Sequence, residues 1–244
     1  MAETRYNRQI LVEGIGDEGQ RLIGEARVAV VGAGALGCAV STQLVRAGVG
    51  YLRLIDPDVP EISNLQRQVL IDEDDVRERT PKALAAADKL RASNSEVEVE
   101  PHVALLEEAN VTELLSGVDL VLDGTDNFAA RYAINRFCVE SAIPYLFGGV
   151  LAAGGMAFPV LPGGPCLQCA LGPEPPQGSV PTTSERGVLC AIVQTIAAVE
   201  VVRAVKLVIG HDVPPDLFVI DLWDETQRLV HVDRDPDCPV CGEI

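Results

Sequence analysis

RVAVVGAGALG (residues 27–37) joins a β-branched run to three glycines. RVAVVG (27–32) has the near-continuous apolar character of a strand buried on both faces of a parallel sheet. Gly32, Gly34 and Gly37 then follow at G-x-G-x-x-G spacing, and the helical stretch CAVSTQLVRAG closes at Gly48. YLRLID (51–56) reads as a second strand. Strand, glycine turn, helix and strand make a βαβ unit, whose crossover is expected to be right-handed. The glycines around Ala33 and Ala35 allow a tight turn and let a phosphate approach backbone N–H groups at a positive helix terminus. Asp56, 19 residues after Gly37, ends the second strand where a carboxylate can accept from a ribose hydroxyl. The same spacing also serves a turn with close helix–strand packing and no ligand. By itself it does not separate NAD from ATP.

Working outward, PKALAAADKLRAS (81–93) reads as a helix, EVEVEPHV (96–103) as an alternating strand and VTELLSG as a short helix. VDLVLDG (118–124) is a buried strand and FAARYAINRFCVESA (128–142) another helix. From Pro144 the pattern changes: YLFGGVLAAGGMAFPVLPG (145–163) is extended and glycine-rich, with strand potential at both ends. Gly172 to Arg186, rich in Pro and small polar residues, reads as a mobile loop. A long apolar helix over Val188–Ile209 and a hairpin of LFVIDL (217–222) and RLVHV (228–232) complete the chain. No internal repeat and no clean linker divides it. The expected architecture is a single α/β unit over 1–244, with a Rossmann-like βαβ N-terminal half (1–143) and a mixed, partly antiparallel C-terminal half (144–244).

The 244 residues carry 36 acidic against 19 basic side chains, a net charge of −17, and 48% are hydrophobic. That composition supplies a sizeable core and excludes a disordered or fibrous chain. Its field repels nucleic acid and anionic membrane, so neither is an expected partner. Low Lys content (Lys82, Lys89, Lys206) in so acidic a chain suggests a salt-rich cytosol. The N-terminal MAETRYNRQ has no signal-peptide core, and no apolar run reaches the roughly 18 residues of a membrane span. A cytoplasmic location is expected.

Against this acidic background a few cations stand out. Ser63-Asn64-Leu65-Gln66-Arg67-Gln68 lies just downstream of Asp56 and offers amides and a guanidinium to a phosphate chain leaving the glycine loop. Lys82 follows Thr80, a candidate N-cap, and Pro81, a candidate first helical residue. A Lys in the first turn opposes the helix dipole unless an anion is near. Arg8 in RYNRQ lies outside the βαβ unit. Together these suit a triphosphate, although each alone is equally read as a surface ion pair worth little. Asp126 and Asn127 follow VDLVLDG at its carboxyl end, where open α/β sheets bind ligands. There Asp126 can hold Mg²⁺ against phosphates, or merely cap the following helix.

Seven cysteines, four of them in Cys166-x-x-Cys169 and Cys238-x-x-Cys241, argue against a secreted disulfide framework. The two pairs carry the signature of a tetrahedral structural zinc. The 68 residues between them make it a long-range clip, from the start of the mobile loop to the C-terminal tail. Two disulfides or four unrelated core cysteines are the alternatives. Cys38, Cys138 and Cys190 read as buried packing residues, and His102, His211 and His231 show no ligand spacing.

RYNRQ, VVGAGALG, LRLIDPD, SNLQRQ, the Thr80-Pro81-Lys82 triplet, DGTDN with Arg131, CLQC and CPVC occur in order from Arg5 to Cys241. Together they resemble the MoeB/ThiF/HesA family, prokaryotic relatives of ubiquitin-activating E1 enzymes, and the MoeB branch at least as closely as the ThiF branch. The resemblance implies ATP-dependent adenylation of the C-terminal glycine of a small ubiquitin-like, sulfur-carrier protein, with release of pyrophosphate. It implies that Gly34, Ala35 and Asp56 hold the nucleotide, and that Ser63, Asn64, Leu65, Gln66, Arg67 and Lys82 contact its phosphates. Asp126 would organise Mg²⁺ with Asn127 beside it, and Arg8 would reach a neighbouring subunit's site in a homodimer. Many members carry a cysteine where this chain has Thr183, and a hydroxyl does not replace a thiolate in sulfur exchange. Sulfur delivery is therefore assigned to a separate donor. An NAD-dependent oxidoreductase and a non-catalytic scaffold for a ubiquitin-like protein are the competing readings.

Overall fold

A computed structural model describes residues 5–176 and 178–242. Eight strands form one sheet: β1 (Arg27–Val31), β2 (Tyr51–Ile55), β3 (Glu98–His102), β4 (Leu120–Asp123), β5 (Tyr145–Leu151), β6 (Gly154–Val160), β7 (Asp216–Asp221) and β8 (Thr226–His231). Their spatial order is β3-β2-β1-β4-β5-β6-β7-β8. The first five are parallel, with Val30 opposite Leu54 on one side and Leu122 on the other. From β5 onward every pairing is antiparallel. The expected change of character at Pro144 is therefore the switch from parallel to antiparallel pairing, with hairpins at β5–β6 and β7–β8 and a long helical excursion between β6 and β7. The 145–163 stretch folds back on itself at Ala152, with Leu151 opposite Gly154.

β1 is apolar throughout because both faces are covered. Val28 and Val30 point into one core with Leu52, Leu54, Leu120 and Leu122, under the helices Ala35–Ala47, Lys82–Ser93 and Cys190–Val208. Ala29 and Val31 point into the other, with Val121, Tyr145 and the helix Phe128–Glu140. Alternation along each strand divides the side chains between the two layers. Each fully buried Val or Leu here contributes about 1.5–3 kcal/mol relative to exposure.

The helix after the glycine loop ends as expected, with Gly48 in a left-handed conformation donating to Leu44 and Val45 carbonyls. Elements without a clear sequence signal are the helices Asn7–Ile10, Gly16–Glu25 and Glu73–Glu78. The late helix starts at Cys190, because Val188 is drawn into a bridge with Ala152. A four-residue helix, Thr183–Arg186, forms within the stretch that the sequence reads as a mobile loop. No helix among the described residues is long and apolar enough to cross a membrane.

Candidate active site

The chain reverses its direction of travel across the sheet between β1, flanked by β2, and β4. In open α/β sheets ligands bind in that crevice, at the carboxyl ends of the strands. The glycine loop sits there, and its three glycines have different reasons to be glycine. Gly32 has φ +95°, and an added Cβ would lie 2.4 Å from the Gly124 carbonyl oxygen. A Cβ at Gly37 would lie 1.7 Å from the Gly32 carbonyl oxygen. Both are dictated by backbone packing against the β4 end. Gly34 has φ −78°, and the nearest atom to its added Cβ is 3.8 Å away. Neither strain nor crowding demands a glycine at that position, which is the mouth of a 13-residue helix.

Asp56 is 5% exposed, and its two oxygens accept from the Ala33 N–H (2.7 Å) and the Asp58 N–H (2.8 Å). Burial pushes its pKa up, against the opposing pull of those two amides and Lys82. Asp56 therefore fixes the glycine loop to the end of β2. Lys82 is buried and pairs with Asp58 at 2.9 Å. The helix cap differs from the sequence expectation. Pro81, not Thr80, is the N-cap, and Lys82 is the first helical residue. Its backbone N–H is satisfied by the Asp58 carbonyl (2.8 Å), so the β2–Asp58 turn supplies what a capping hydroxyl would have. The anion required beside a first-turn Lys is thus Asp58.

Ser63-Asn64-Leu65-Gln66-Arg67-Gln68 begins in a short 3-10 turn, Ile62–Asn64. Asn64 is buried and its side chain binds back to the Glu61 N–H (3.0 Å). Ser63 and Gln66 are exposed, while Leu65 and Arg67 are half-buried. Arg67 donates to the Ser63 carbonyl at 2.7 Å and has no carboxylate partner among the described residues. Gln68, outside the expected phosphate-contact set, is buried with Oε1 unpartnered, and its Nε2 is 4.0 Å from the Cβ position of Gly34. The segment therefore adjoins the glycine loop. Only its place within the SNLQRQ run could have marked Gln68 beforehand.

Asp126 is exposed at the carboxyl end of β4. It does not cap the next helix: Asn127 does, accepting from the Ala130 N–H at 2.8 Å. Beneath it lies a buried node that the sequence marks only through Arg131. The Arg131 guanidinium donates to Asp123 (3.0 Å) and to the Thr125 (2.7 Å) and Gly148 (3.2 Å) carbonyls. Asp123 also receives the Tyr145 hydroxyl at 2.9 Å. These bonds fix the course of the chain into Asp126.

Arg8 is not brought to this crevice. It is exposed on the helix Asn7–Ile10, and the neighbouring Gln9 binds the Ala47 carbonyl at 2.8 Å. That places it at the far end of the helix whose mouth is Gly34, about 20 Å away for 13 residues.

Cys166, Cys169, Cys238 and Cys241 converge, with all four sulfurs within 4.8 Å of one another. Contacts of 4.0, 3.7 and 3.5 Å link Cys166 to Cys169, Cys166 to Cys238 and Cys169 to Cys241. Sulfurs 2.3 Å from a tetrahedral centre would be about 3.8 Å apart, so this spacing fits a metal, whereas a disulfide requires about 2.05 Å. No other group of three or more His, Cys, Asp or Glu among the described residues could hold an ion. Cys38 and Cys138 are buried in the core, and burial pushes the Cys38 thiol up to about 12. Cys190 is half-buried, not buried as expected, because it opens its helix beside exposed Leu189 and packing starts at Ile192.

The loop bearing Thr183 is tied to the sheet where it ends. Ala152 receives Leu189 and donates to Gly187, while Gln66 reaches the Val188 carbonyl at 3.5 Å.

The chain has close relatives in sequence among known proteins. The chain is 41% identical over 241 residues to the SAMP-activating enzyme E1 of Haloferax volcanii, covering 98% of this chain and 88% of the relative. It is 40% identical to the sulfur carrier protein ThiS adenylyltransferase of Bacillus subtilis (98% and 71%) and 36% identical to the molybdopterin-synthase adenylyltransferase of Escherichia coli (98% and 96%). The crystal structure of E. coli MccB with MccA-N7isoASN superposes with a TM-score of 0.86 at 24% identity, covering 99% of this chain and 75% of MccB, a likeness of fold. The ThiF family model matches residues 6–240, from the N-terminal arm into the last cysteine pair. The chain belongs to the ThiF family.

Proposed function

We infer that this protein is an adenylyltransferase that uses ATP to activate the C-terminal carboxylate of a small ubiquitin-like sulfur-carrier protein. The observation that carries the reading is Gly34, a glycine required by neither conformation nor packing, at a helix mouth beside the SNLQRQ segment. A methyl group there would stand where a phosphate needs to reach backbone N–H groups. Relatives at 36–41% identity, named as adenylyltransferases or as an activating E1, support the same chemistry. The oxidoreductase reading leaves SNLQRQ, Lys82 and the cysteine cluster without a role.

In this reading Gly32, Gly34, Ala35, Gly37 and Asp56 form the nucleotide cradle. Ser63, Asn64, Leu65, Gln66, Arg67 and Lys82 line the triphosphate, and Lys82 exchanges its contact with Asp58 for phosphate oxygens. Asp126, with Asn127 beside it, would hold Mg²⁺, which neutralises developing charge on the phosphates. The partner's carboxylate oxygen attacks the α-phosphorus, the bond to the bridging α–β oxygen breaks, and pyrophosphate leaves. Positioning and electrostatics suffice, and no protein nucleophile is needed. The four thiolates would hold a structural zinc joining the C-terminal tail to the segment entering the Thr183 loop.

Residues 1–143 would then serve the nucleotide and 144–244 the partner, within one cytoplasmic adenylation unit that works as a homodimer. Sulfur would be delivered by a separate donor, since Thr183 offers no thiolate. The molybdenum-cofactor, thiamine and tRNA-thiolation pathways all supply carriers of the required kind. The test is ATP–pyrophosphate exchange dependent on a small protein ending in Gly-Gly. Exchange that needs the partner's intact terminal glycine is the expected result, and its absence with every Gly-Gly-ended protein of the same genome would overturn the reading.

A further inference from the structure

The helix Cys190–Val208 crosses the sheet face with Ile196, Ala197, Val201 and Ala204 buried beneath it. In the same buried row stands Glu200, 0% exposed, with no side-chain partner for either carboxyl oxygen and only the Asp123 backbone N–H facing it as a donor, a pull toward the charged form. A Cβ on Gly148 would lie 2.5 Å from its Oε2, so β5 is recessed at that point to admit the carboxyl. The Gly148 carbonyl is one of the three acceptors of Arg131, the side chain that fixes Asp123 and Thr125 beneath Asp126.

The charges facing Glu200 are Asp123 from β4, Arg131 from the helix Phe128–Glu140, and Arg203 from its own helix, and Tyr145 of β5 adds a phenol bonded to Asp123. From the helix Ala35–Ala47, apolar Leu36 reaches Gly148 beside that carboxyl. Arg131 is already paired with Asp123, and Arg203 spends its guanidinium on the Ala157 and Asp216 carbonyls (2.9 Å each). No cation is left over for a second buried carboxylate, and an unpaired buried charge is expensive.

We propose that Glu200 stands in the folded protein as a neutral carboxylic acid and acts as a positioning residue, bracing the β4–β5 ends that carry Asp126. Burial, with the Asp123 charge adding to it, raises its pKa well above the ordinary carboxylate range. This role rests on the adenylation reading. The protonation state does not.

The unfolded chain releases this proton near the ordinary Glu pKa, whereas the folded chain keeps it. The stabilisation is therefore full below the unfolded pKa and is lost as pH rises toward the folded one, about tenfold in the unfolding constant per pH unit. Glu200→Gln removes the titration while keeping shape and neutrality, and Glu200→Met serves as the second neutral variant should Gln fail to fold.

Denaturant unfolding and partner-dependent pyrophosphate exchange, measured on the full metal-loaded chain from pH 5.5 to 9.5, test the proposal. The unfolding constant of the wild type relative to E200Q should rise about tenfold per pH unit above 5.5 until the folded pKa is reached. Exchange by the wild type should fall at least fivefold on the alkaline side, and E200Q should lack that limb. A pH-independent stability gap would overturn the neutral acid, and an unchanged alkaline limb in E200Q would overturn the positioning role. If the wild type shows no exchange at any pH, the adenylation reading fails while the stability measurement still decides the protonation state.

Discussion

Replacing Gly34 by Ala separates a ligand-binding glycine from a packing one, and the structure supplies both sides of the comparison. At Gly34 the new methyl meets nothing nearer than 3.8 Å, and φ of −78° suits any residue. Ala is a poorer N-cap than Gly by up to about 1 kcal/mol. Restricting the unfolded chain returns about 0.4–1 kcal/mol, so folding stability should hold within about 1 kcal/mol. Binding is another matter. If the methyl costs one hydrogen bond to a charged phosphate, about 1.5–3 kcal/mol is lost, a weakening of the ATP Kd by about 10- to 150-fold. Gly37→Ala gives the opposite profile: a Cβ 1.7 Å from the Gly32 carbonyl oxygen forces the backbone apart, and the chain should fail to fold stably. Calorimetric titration of ATP beside a denaturant melt of each variant makes the measurement. G34A binding ATP within twofold of wild type would refute the phosphate reading of that loop.

The remaining expectations concern the metal, the loop and the N-terminal arm. Elemental analysis should find one zinc per chain, and Cys238→Ser should abolish it. Releasing a clip that spans 72 residues should cost about 4 kcal/mol, or roughly 8–16 °C in Tm by scanning calorimetry. Thr183→Ala should leave pyrophosphate exchange within about twofold, and a larger loss would mean that the loop takes part in the chemistry. Arg8→Ala and Asp126→Ala should each cut exchange by at least tenfold. Mixed after subunit exchange, the two inactive chains should recover roughly a quarter of wild-type exchange, because one site in each mixed dimer is then intact. No recovery would place Arg8 outside the partner's site.

What could be read from the residues, and what could not, divides along physical lines. β1 and β4 are legible because burial on both faces leaves a near-continuous apolar run, and Gly32 and Gly37 because their backbone contacts admit no side chain. The cysteine quartet was legible because ligand spacing survives any intervening length of chain. The N-terminal helices were not, since Gly16–Glu25 is polar on balance and buries only Gly19 and Ile23, too little apolar content to mark it. The Lys82 cap departs from the local expectation because its acceptor is the Asp58 carbonyl, 24 residues upstream, and local capping rules do not see a tertiary partner.

The same limit explains why the Asp123–Arg131 node and Glu200 are so faint in the sequence. Each is an ordinary charged residue until the sheet brings them within reach of one another, and only then does the number of available cations decide which carboxyl keeps its proton. Arg131 has one carboxylate to neutralise and three acceptors to hold in place. It can satisfy Asp123, which bears the Thr125 turn, only if Glu200 stays uncharged. The exposed carboxylate assigned to the metal is thereby separated from a buried acid by a single ion pair. That pair lets the chain present negative charge at Asp126 without accumulating it underneath.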